Sequence, residues 1–536
     1  MTDVPCYRHV VRRSPREICS YSNLAARIRW AVLALAVGSG CTNDRQVPSD
    51  SAAPPASGSV APSSVPSVAP DPSAGASAEP TPADEPRVYA KTRFVWVHLS
   101  PGSEGWIGYL WFGGSVKLRD PEPRYGPGCS KWYAIEPRGF VCLDRGKATL
   151  DPNDPTLATL RKYAPRLASP WPHQYGESRG LPRYRELPTV EQQRRREWDW
   201  EVHRKRVEAA RQGKVHPSLA GVDLTPATNA PFSLGDILST VHENRDGLRP
   251  LSTIAYSTEV LHEGRSWLLT HDLMWAPKDR VAPYPKVVFK GVRLGSDANL
   301  PLAFFRKAGV KKHRRSSDGR LEPTSDTFPR LSWVELTGAR IEQDGDTWLE
   351  TRQAGIYVRE ADAVVPTPQK RTPWGAPVGG HDDTGNTPAG RATWMEASVW
   401  GGWLIAYEGT RPVFVTMISP GRGGTPVPGK DPVETASTPT GTFKITGKFA
   451  TATMAAPGEF IHSDVPWTQN FHGPHALHGA YWHDDWGQRK SGGCVNVSPE
   501  DGKTLFEFTE PELPEGWHGV RWRPNAEPAT SFVVHQ

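Results

Sequence analysis

Proline and glycine punctuate this chain from end to end, 53 of the first and 50 of the second among 536 residues. Neither suits a helix interior, proline because it lacks an N–H and glycine because it has most backbone entropy to lose, so long uninterrupted helices are not expected. Between the breaks lie short alternating or aromatic runs, the pattern of brief strands joined by turns. The expected class is mostly β. At about 100 to 200 residues per domain, the length implies three or four units. Hydrophobic content of 37% with 21 Trp is enough for real cores. The formal charge of +5 is small for this length. It gives no electrostatic case for a nucleic-acid partner, and at most a mild attraction to an anionic wall or membrane surface.

The first 41 residues read as a secretory signal. Arg27 and Arg29 precede an apolar run from Trp30 to Val37, followed by Gly38, Ser39, Gly40 and Cys41. The run is far shorter than the roughly 20 residues that cross a bilayer, but it fits the apolar region of a leader. The small residues before Cys41 resemble a bacterial lipobox, in which the cysteine is acylated and becomes the mature N-terminus. Gly38 stands where a larger aliphatic is usual, and ordinary cleavage nearby is the alternative. The expected location is therefore the periplasm or cell envelope, with the membrane reached through a lipid on Cys41. Residues 42–88 are dominated by Ser, Ala, Pro, Gly and Val, a composition that cannot bury enough surface to offset chain entropy. They are expected to be a disordered tether, reaching on the order of 100 Å if proline holds them near polyproline II.

Removing the leader leaves Cys41, Cys129, Cys142 and Cys494. An oxidising compartment pairs thiols, and Cys129 and Cys142 flank Trp132, Tyr133 and a Pro137–Phe140 turn, so a disulfide closing a hairpin is expected there. With Cys41 acylated, Cys494 is left as an odd thiol. It sits in Ser491-Gly492-Gly493-Cys494-Val495-Asn496, a polar, glycine-rich turn, rather than among the apolar neighbours of an inert buried cysteine.

Residues 89–151 carry runs such as Phe94-Val95-Trp96-Val97 and read as a small β-barrel resembling bacterial SH3-like wall-associated modules. Residues 152–250 read as a mixed region with one charged helix near 189–213, started by Thr189 and stopped by Gly213. A β-rich module at 251–328, an SH3-like segment at 329–366 and a linker at 367–391 follow. The final domain is expected at 392–525, with a tail at 526–536. Inside it Trp394–Val399, Trp403–Tyr407 and Pro412–Ser419 read as consecutive strands. One short helix is expected after Cys494, capped by Ser498, begun by Pro499 and running to about Phe508.

Two islands carry the chemistry: His478-Gly479-Ala480-Tyr481-Trp482-His483, and the Cys494 turn sixteen residues after His478. A thiol is a weak nucleophile until deprotonated, and a nearby imidazole can take its proton and later return one to a leaving amine. Glycines around the thiol let backbone N–H groups approach a tetrahedral oxyanion. In order, Thr438-Pro439-Thr440-Gly441-Thr442-Phe443, Val465-Pro466-Trp467, His478-Gly479 with Trp482, and Ser491 to Asn496 resemble the L,D-transpeptidase catalytic domain, the YkuD family. The resemblance implies a β-sandwich with a short helix. It assigns Cys494 as nucleophile, His478 as base and the Gly479 carbonyl as orienter of the imidazole. Ser491, Gly493, Asn496 and Trp482 would line the pocket, with the Gly493 and Cys494 amides as oxyanion donors. It implies no cofactor and no metal. Gly492 departs from the family pattern, where a histidine is usual.

The implied activity is cleavage of peptidoglycan stem peptides through a thioester, with transfer to a neighbouring stem amine, to a protein acceptor, or to water in a carboxypeptidase. Two rivals differ in kind. His472, His475, His478 and His483 with Asp484 and Asp485 could hold zinc, but their spacing matches no metal motif. The chain could instead be a noncatalytic wall-binding lipoprotein with a relic domain, against which stands the retention of both Cys494 and His478.

Overall fold

The computed structural model describes residues 85–536 apart from 228–233, 235–240, 244 and 456–459. The expected leader, Cys41 and the 42–88 linker up to residue 84 lie outside the described residues. The described residues are mostly β, with 40% strand and 12% helix.

The C-terminal region is a β-sandwich. One layer is a six-stranded sheet in the order Val292–Arg293, Arg411–Met417, Trp403–Glu408, Thr393–Ser398, Ser531–His535, Gly441–Lys444. Strand alternation explains why it is buried on both faces. Met395, Ala397, Leu404 and Ala406 point to the sandwich core with Phe471, Leu477, Val495 and Val497. Trp394, Trp403, Ile405 and Tyr407 point the other way, onto Phe289, Phe304, Val364 and Trp486. The expected tail at 526–536 is instead a strand of this sheet: Ser531–His535 runs parallel to Thr393–Ser398, with Phe532 and Val534 in the core. Its alternating apolar residues supply a face that would otherwise lie in water.

The second layer runs Val495–Val497, His475–Gly479, Ile461–His472, Gly447–Ala455, Gly519–Arg521, and continues without a break into the strands of residues 87–149. The join is Gly108 opposite Val520 and Tyr109 opposite Gly519. A β-carbon on Gly108 would stand 2.3 Å from the Trp517 ring, so only glycine permits the two segments to pair here. The 89–151 module, expected as a small barrel, instead extends a twelve-stranded sheet, and among the described residues no sheet closes into a barrel.

A two-stranded pair, Leu181–Pro182 with Gly247–Leu248, and two further sheets complete the described region. Gln174–Ser178 joins Thr253–His262, Arg265–Thr270, Trp275–Pro277 and Val281–Pro283 in one; strands between 302 and 359 form the other, so a boundary at 328 falls inside a sheet. The charged helix is also interrupted. Thr189 caps Val190–Arg196 through a reciprocal box with Gln192, and a second helix spans Trp200–Arg211. The break falls at Glu197, whose carboxylate is drawn into a buried cluster with Arg265 at 2.7 Å and Arg280 at 3.1 Å. A buried charge needs its partners more than a helix needs continuity. The last helix spans Pro499–Phe508, with the Ser498 hydroxyl accepting from the Asp501 N–H as expected.

Candidate active site

The strand His475–Gly479 pairs in parallel with Val495–Val497, placing Leu477 opposite Val495, His478 opposite Asn496 and Gly479 opposite Val497. Leu477, Val495 and Val497 fill the core, so the alternation turns His478 and Asn496 to the other face of the sheet. Cys494 lies two residues before Asn496, and a hydrogen bond from the Ala476 backbone reaches its sulfur. Ala476 is two residues before His478, one strand repeat of about 6.6 Å. Cys494 thus enters the strand Val495–Val497 beside Ala476, on the strand that carries His478.

His478 is 2% exposed, and its Nδ1 lies 3.2 Å from the Gly479 carbonyl oxygen. A carbonyl only accepts, so Nδ1 carries the proton and Nε2 is the free base. Burial pushes the imidazole down to about 3, and burial pushes the Cys494 thiol up from its ordinary value. The resting pair is therefore neutral thiol and neutral imidazole, rather than thiolate and imidazolium. Cys494 is partly exposed and is the free cysteine among the described residues. Cys129 and Cys142 are joined in a disulfide.

The turn ahead of Cys494 is fastened by Ser491. Its hydroxyl donates to the Cys494 carbonyl and accepts the Gly493 N–H at 3.1 Å. The Gly493 amide, expected as an oxyanion donor, thus donates within the turn. Gly493 has φ +128°, and a β-carbon there would stand 2.8 Å from His475 Nε2 and 2.9 Å from the Ser437 carbonyl. Glycine is needed on both counts. The segment Ser419–Arg422 runs alongside, the Ser419 N–H donating to the Asn496 carbonyl at 2.8 Å and the Arg422 N–H to the Ser491 carbonyl at 2.9 Å. Thr438, from the Thr-Pro-Thr-Gly motif, is buried and accepts the Gly421 N–H at 2.7 Å.

Trp482 tilts against the His478 ring at 5.7 Å between centroids and stacks on His462 at 4.2 Å. The Asn496 amide lies 3.1 Å from His483 Nε2, while His483 Nδ1 accepts the Asp485 N–H at 3.2 Å. Three of the four histidines weighed as zinc ligands make other hydrogen bonds. His478 orients on Gly479, His483 on Asn496 and Asp485, and His475 Nδ1 on the His472 carbonyl at 3.2 Å.

Residues far away in the sequence hold the segment between His478 and Cys494. The Tyr481 hydroxyl donates to the Ser463 carbonyl at 2.7 Å, and the ring stacks on Tyr175 at 3.7 Å. Arg330 donates to the Asp484 carboxylate at 2.7 Å and carbonyl at 2.8 Å, and Arg306 to the Gly487 carbonyl at 3.0 Å. No local pattern marks these residues; they are ordinary tyrosine and arginine until the chain folds.

The β-sandwich thus carries a free thiol just before one strand and a buried, backbone-oriented imidazole on the strand paired with it, residue types suited to acyl transfer. Residues 402–516 match the model of the YkuD family, the L,D-transpeptidase catalytic domain, and this part of the chain is a domain of that kind. The solved structures similar to it include an L,D-transpeptidase of Xylanimonas cellulosilytica, 21% identical over 27% of this chain and 60% of that one, with a TM-score of 0.19. Another is from Stackebrandtia nassauensis, 22% identical over 27% and 55%, TM-score 0.18. A third, from Mycobacterium tuberculosis, is 14% identical over 38% and 79%, TM-score 0.20. The chain thus spans less than two thirds of the first two, and no curated protein matches it.

Proposed function

We propose that this protein is a cysteine-dependent L,D-transpeptidase acting on peptidoglycan stem peptides. The observation that carries the reading is the Nδ1–H of His478 donating to the Gly479 carbonyl, which leaves Nε2 as a base on the strand that pairs with the one Cys494 leads into. As Sγ attacks the acyl carbonyl at stem position three, Nε2 takes the thiol proton. The tetrahedral intermediate collapses, Nε2–H protonates the departing amine of the terminal D-residue, and a thioester remains. An acceptor amine then attacks, gives its proton to Nε2, and the thiolate leaves and is reprotonated. With the Gly493 N–H engaged by Ser491, the Cys494 amide is the remaining oxyanion donor of the expected pair. A neighbouring stem would yield a 3-to-3 crosslink, a protein lysine a wall-attached protein, and water a shortened stem.

Export and a lipid anchor at Cys41 belong to the same proposal, and the Cys129–Cys142 disulfide supports an oxidising compartment. Intact-mass measurement after incubation with a stem tetrapeptide or a carbapenem tests the chemistry. A covalent adduct on wild type that is absent in Cys494→Ala is expected; a folded wild type that forms no adduct sinks the reading. Wall digests from cells with and without the protein identify the acceptor by their 3-to-3 dimers.

A further inference from the structure

We infer that the rim of the nucleophile turn is an anion subsite, made by Arg422 and Arg489, that selects acyl donors bearing a carboxylate near the bond attacked. The inference rests on Cys494 being the nucleophile of the proposed reaction. It begins with Gly492, which is exposed and lies two residues before Cys494. Within 4 Å of the point where its β-carbon would stand, the single neighbour is Arg422 Nη1, at 4.0 Å. The space that a side chain would occupy is open and faced by a guanidinium. The main chain of Arg422 is fixed to the same turn, because its N–H donates to the Ser491 carbonyl at 2.9 Å.

Arg489 reaches this rim from the other side, two residues before Ser491. Its guanidinium carbon lies 4.1 Å from the centroid of the Trp400 ring, which stands 54% exposed. Gly424 clears the way, since a β-carbon there would be 3.0 Å from Trp400 and 3.1 Å from Arg489 Nη1. A guanidinium resting on an aromatic face keeps its charge and its donors while losing side-chain freedom, so it is preorganised for a carboxylate. Lys490, between these elements, is already paired with Asp485 at 2.7 Å. Arg422 and Arg489, by contrast, take part in none of the ion pairs made by the described residues. Two cations without acid partners, held on the rim of a nucleophile's turn, are complementary to an anion presented with the substrate.

Charge-selective alkylation of Cys494 in the full chain tests this without assuming the transpeptidase reaction. The ratio of iodoacetate to iodoacetamide labelling, read on the Cys494 peptide by mass spectrometry, should fall about tenfold in Arg422→Gln/Arg489→Gln, equivalent to about 1.4 kcal/mol. Molar salt should lower the wild-type ratio in the same direction, and Arg422→Lys should restore part of it. A ratio equal in wild type and variant, and indifferent to salt, overturns the subsite. Stem donors amidated either at the terminal carboxylate or at the side-chain carboxylate then identify which group is read, by which of the two abolishes the KM difference between wild type and variant. If alkylation shows the preference but no stem donor forms a thioester, the anion subsite stands and the transpeptidase reading falls.

Discussion

Burial raises the Cys494 thiol and lowers the His478 imidazole to about 3, so in the resting site the proton stays on sulfur and must move during attack. Alkylation of Cys494 should therefore rise steadily with pH through neutrality. A plateau at neutral pH, the mark of a preformed thiolate, would sink this view. His478→Gln should slow adduct formation by about 10² to 10⁴ while the thiol remains alkylatable. The same burial has a consequence for stability. His478 is held down to about 3, and His462, His483 and His518 to about 4. Each takes a proton more readily in the unfolded chain, where its value is near 6.5, so stability is full above that value and is lost as pH falls toward the folded values. His271 works oppositely: its pKa is raised, so its contribution is full below about 6.5 and fades as pH climbs through the folded value. The balance favours acid sensitivity, at up to about 1.4 kcal/mol per pH unit for each depressed group. The urea midpoint should drop between about pH 7 and about pH 4.5; a constant midpoint would contradict the assignment. Of these residues, His478, Gly479 and Cys494 stood out in the sequence by their motifs, whereas the use of the Gly493 amide within its own turn depended on where the Ser491 hydroxyl points.

The strands and the last helix followed from local patterns. Trp394–Val399, Trp403–Tyr407 and Pro412–Ser419 were readable because each alternates or is continuously apolar between glycine turns, and the corresponding strands are Thr393–Ser398, Trp403–Glu408 and Arg411–Met417. Ser498 with Pro499 announced the helix, and Ser498→Ala should cost about 1 kcal/mol by freeing the Asp501 N–H, measurable as a lower Tm. What escaped local reading was decided by distant partners. The helix expected from 189 to 213 breaks where Glu197 turns to Arg265 and Arg280, and the expected tail becomes a strand because the sheet offers Thr393–Ser398 a parallel neighbour. At the Cys494 turn, Gly493→Ala should be disproportionately harmful. Its backbone lies where L side chains are strained, and the new methyl would press on His475 and the Ser437 carbonyl. We expect loss of adduct formation together with a lowered Tm; an active, equally stable variant would show that the turn tolerates rearrangement.

Across the whole described region the catalytic sandwich is not self-contained. Val292–Arg293 supplies an edge strand to one of its sheets, residues 87–149 extend the other, and one face of the six-stranded sheet is covered by Phe289, Phe304 and Val364. A buried ionic node ties the same parts together. Arg93 meets Glu243 at 2.9 Å, Glu243 accepts from Thr453 at 3.2 Å, and Asp464 lies 3.0 Å from His173. Residues 392–536 expressed alone should thus expose apolar surface, bind a hydrophobic dye and lose adduct formation; a soluble, active fragment would refute this interdependence. Arg330→Met, which frees Asp484 without touching the sandwich core, should slow adduct formation several-fold at unchanged Tm, with Arg330→Lys partly restoring it. By itself the sequence determined the mostly β class, the strand and helix signals near the site, and the identities of a thiol, an imidazole and their glycines, because each depends on residues within a few positions of one another. Only the tertiary structure decided the neutral state of the pair, the engagement of the Gly493 amide and the bracing of residues 480–493 from two remote sheets, because desolvation and long-range hydrogen bonds arise from neighbours that the order of residues does not reveal.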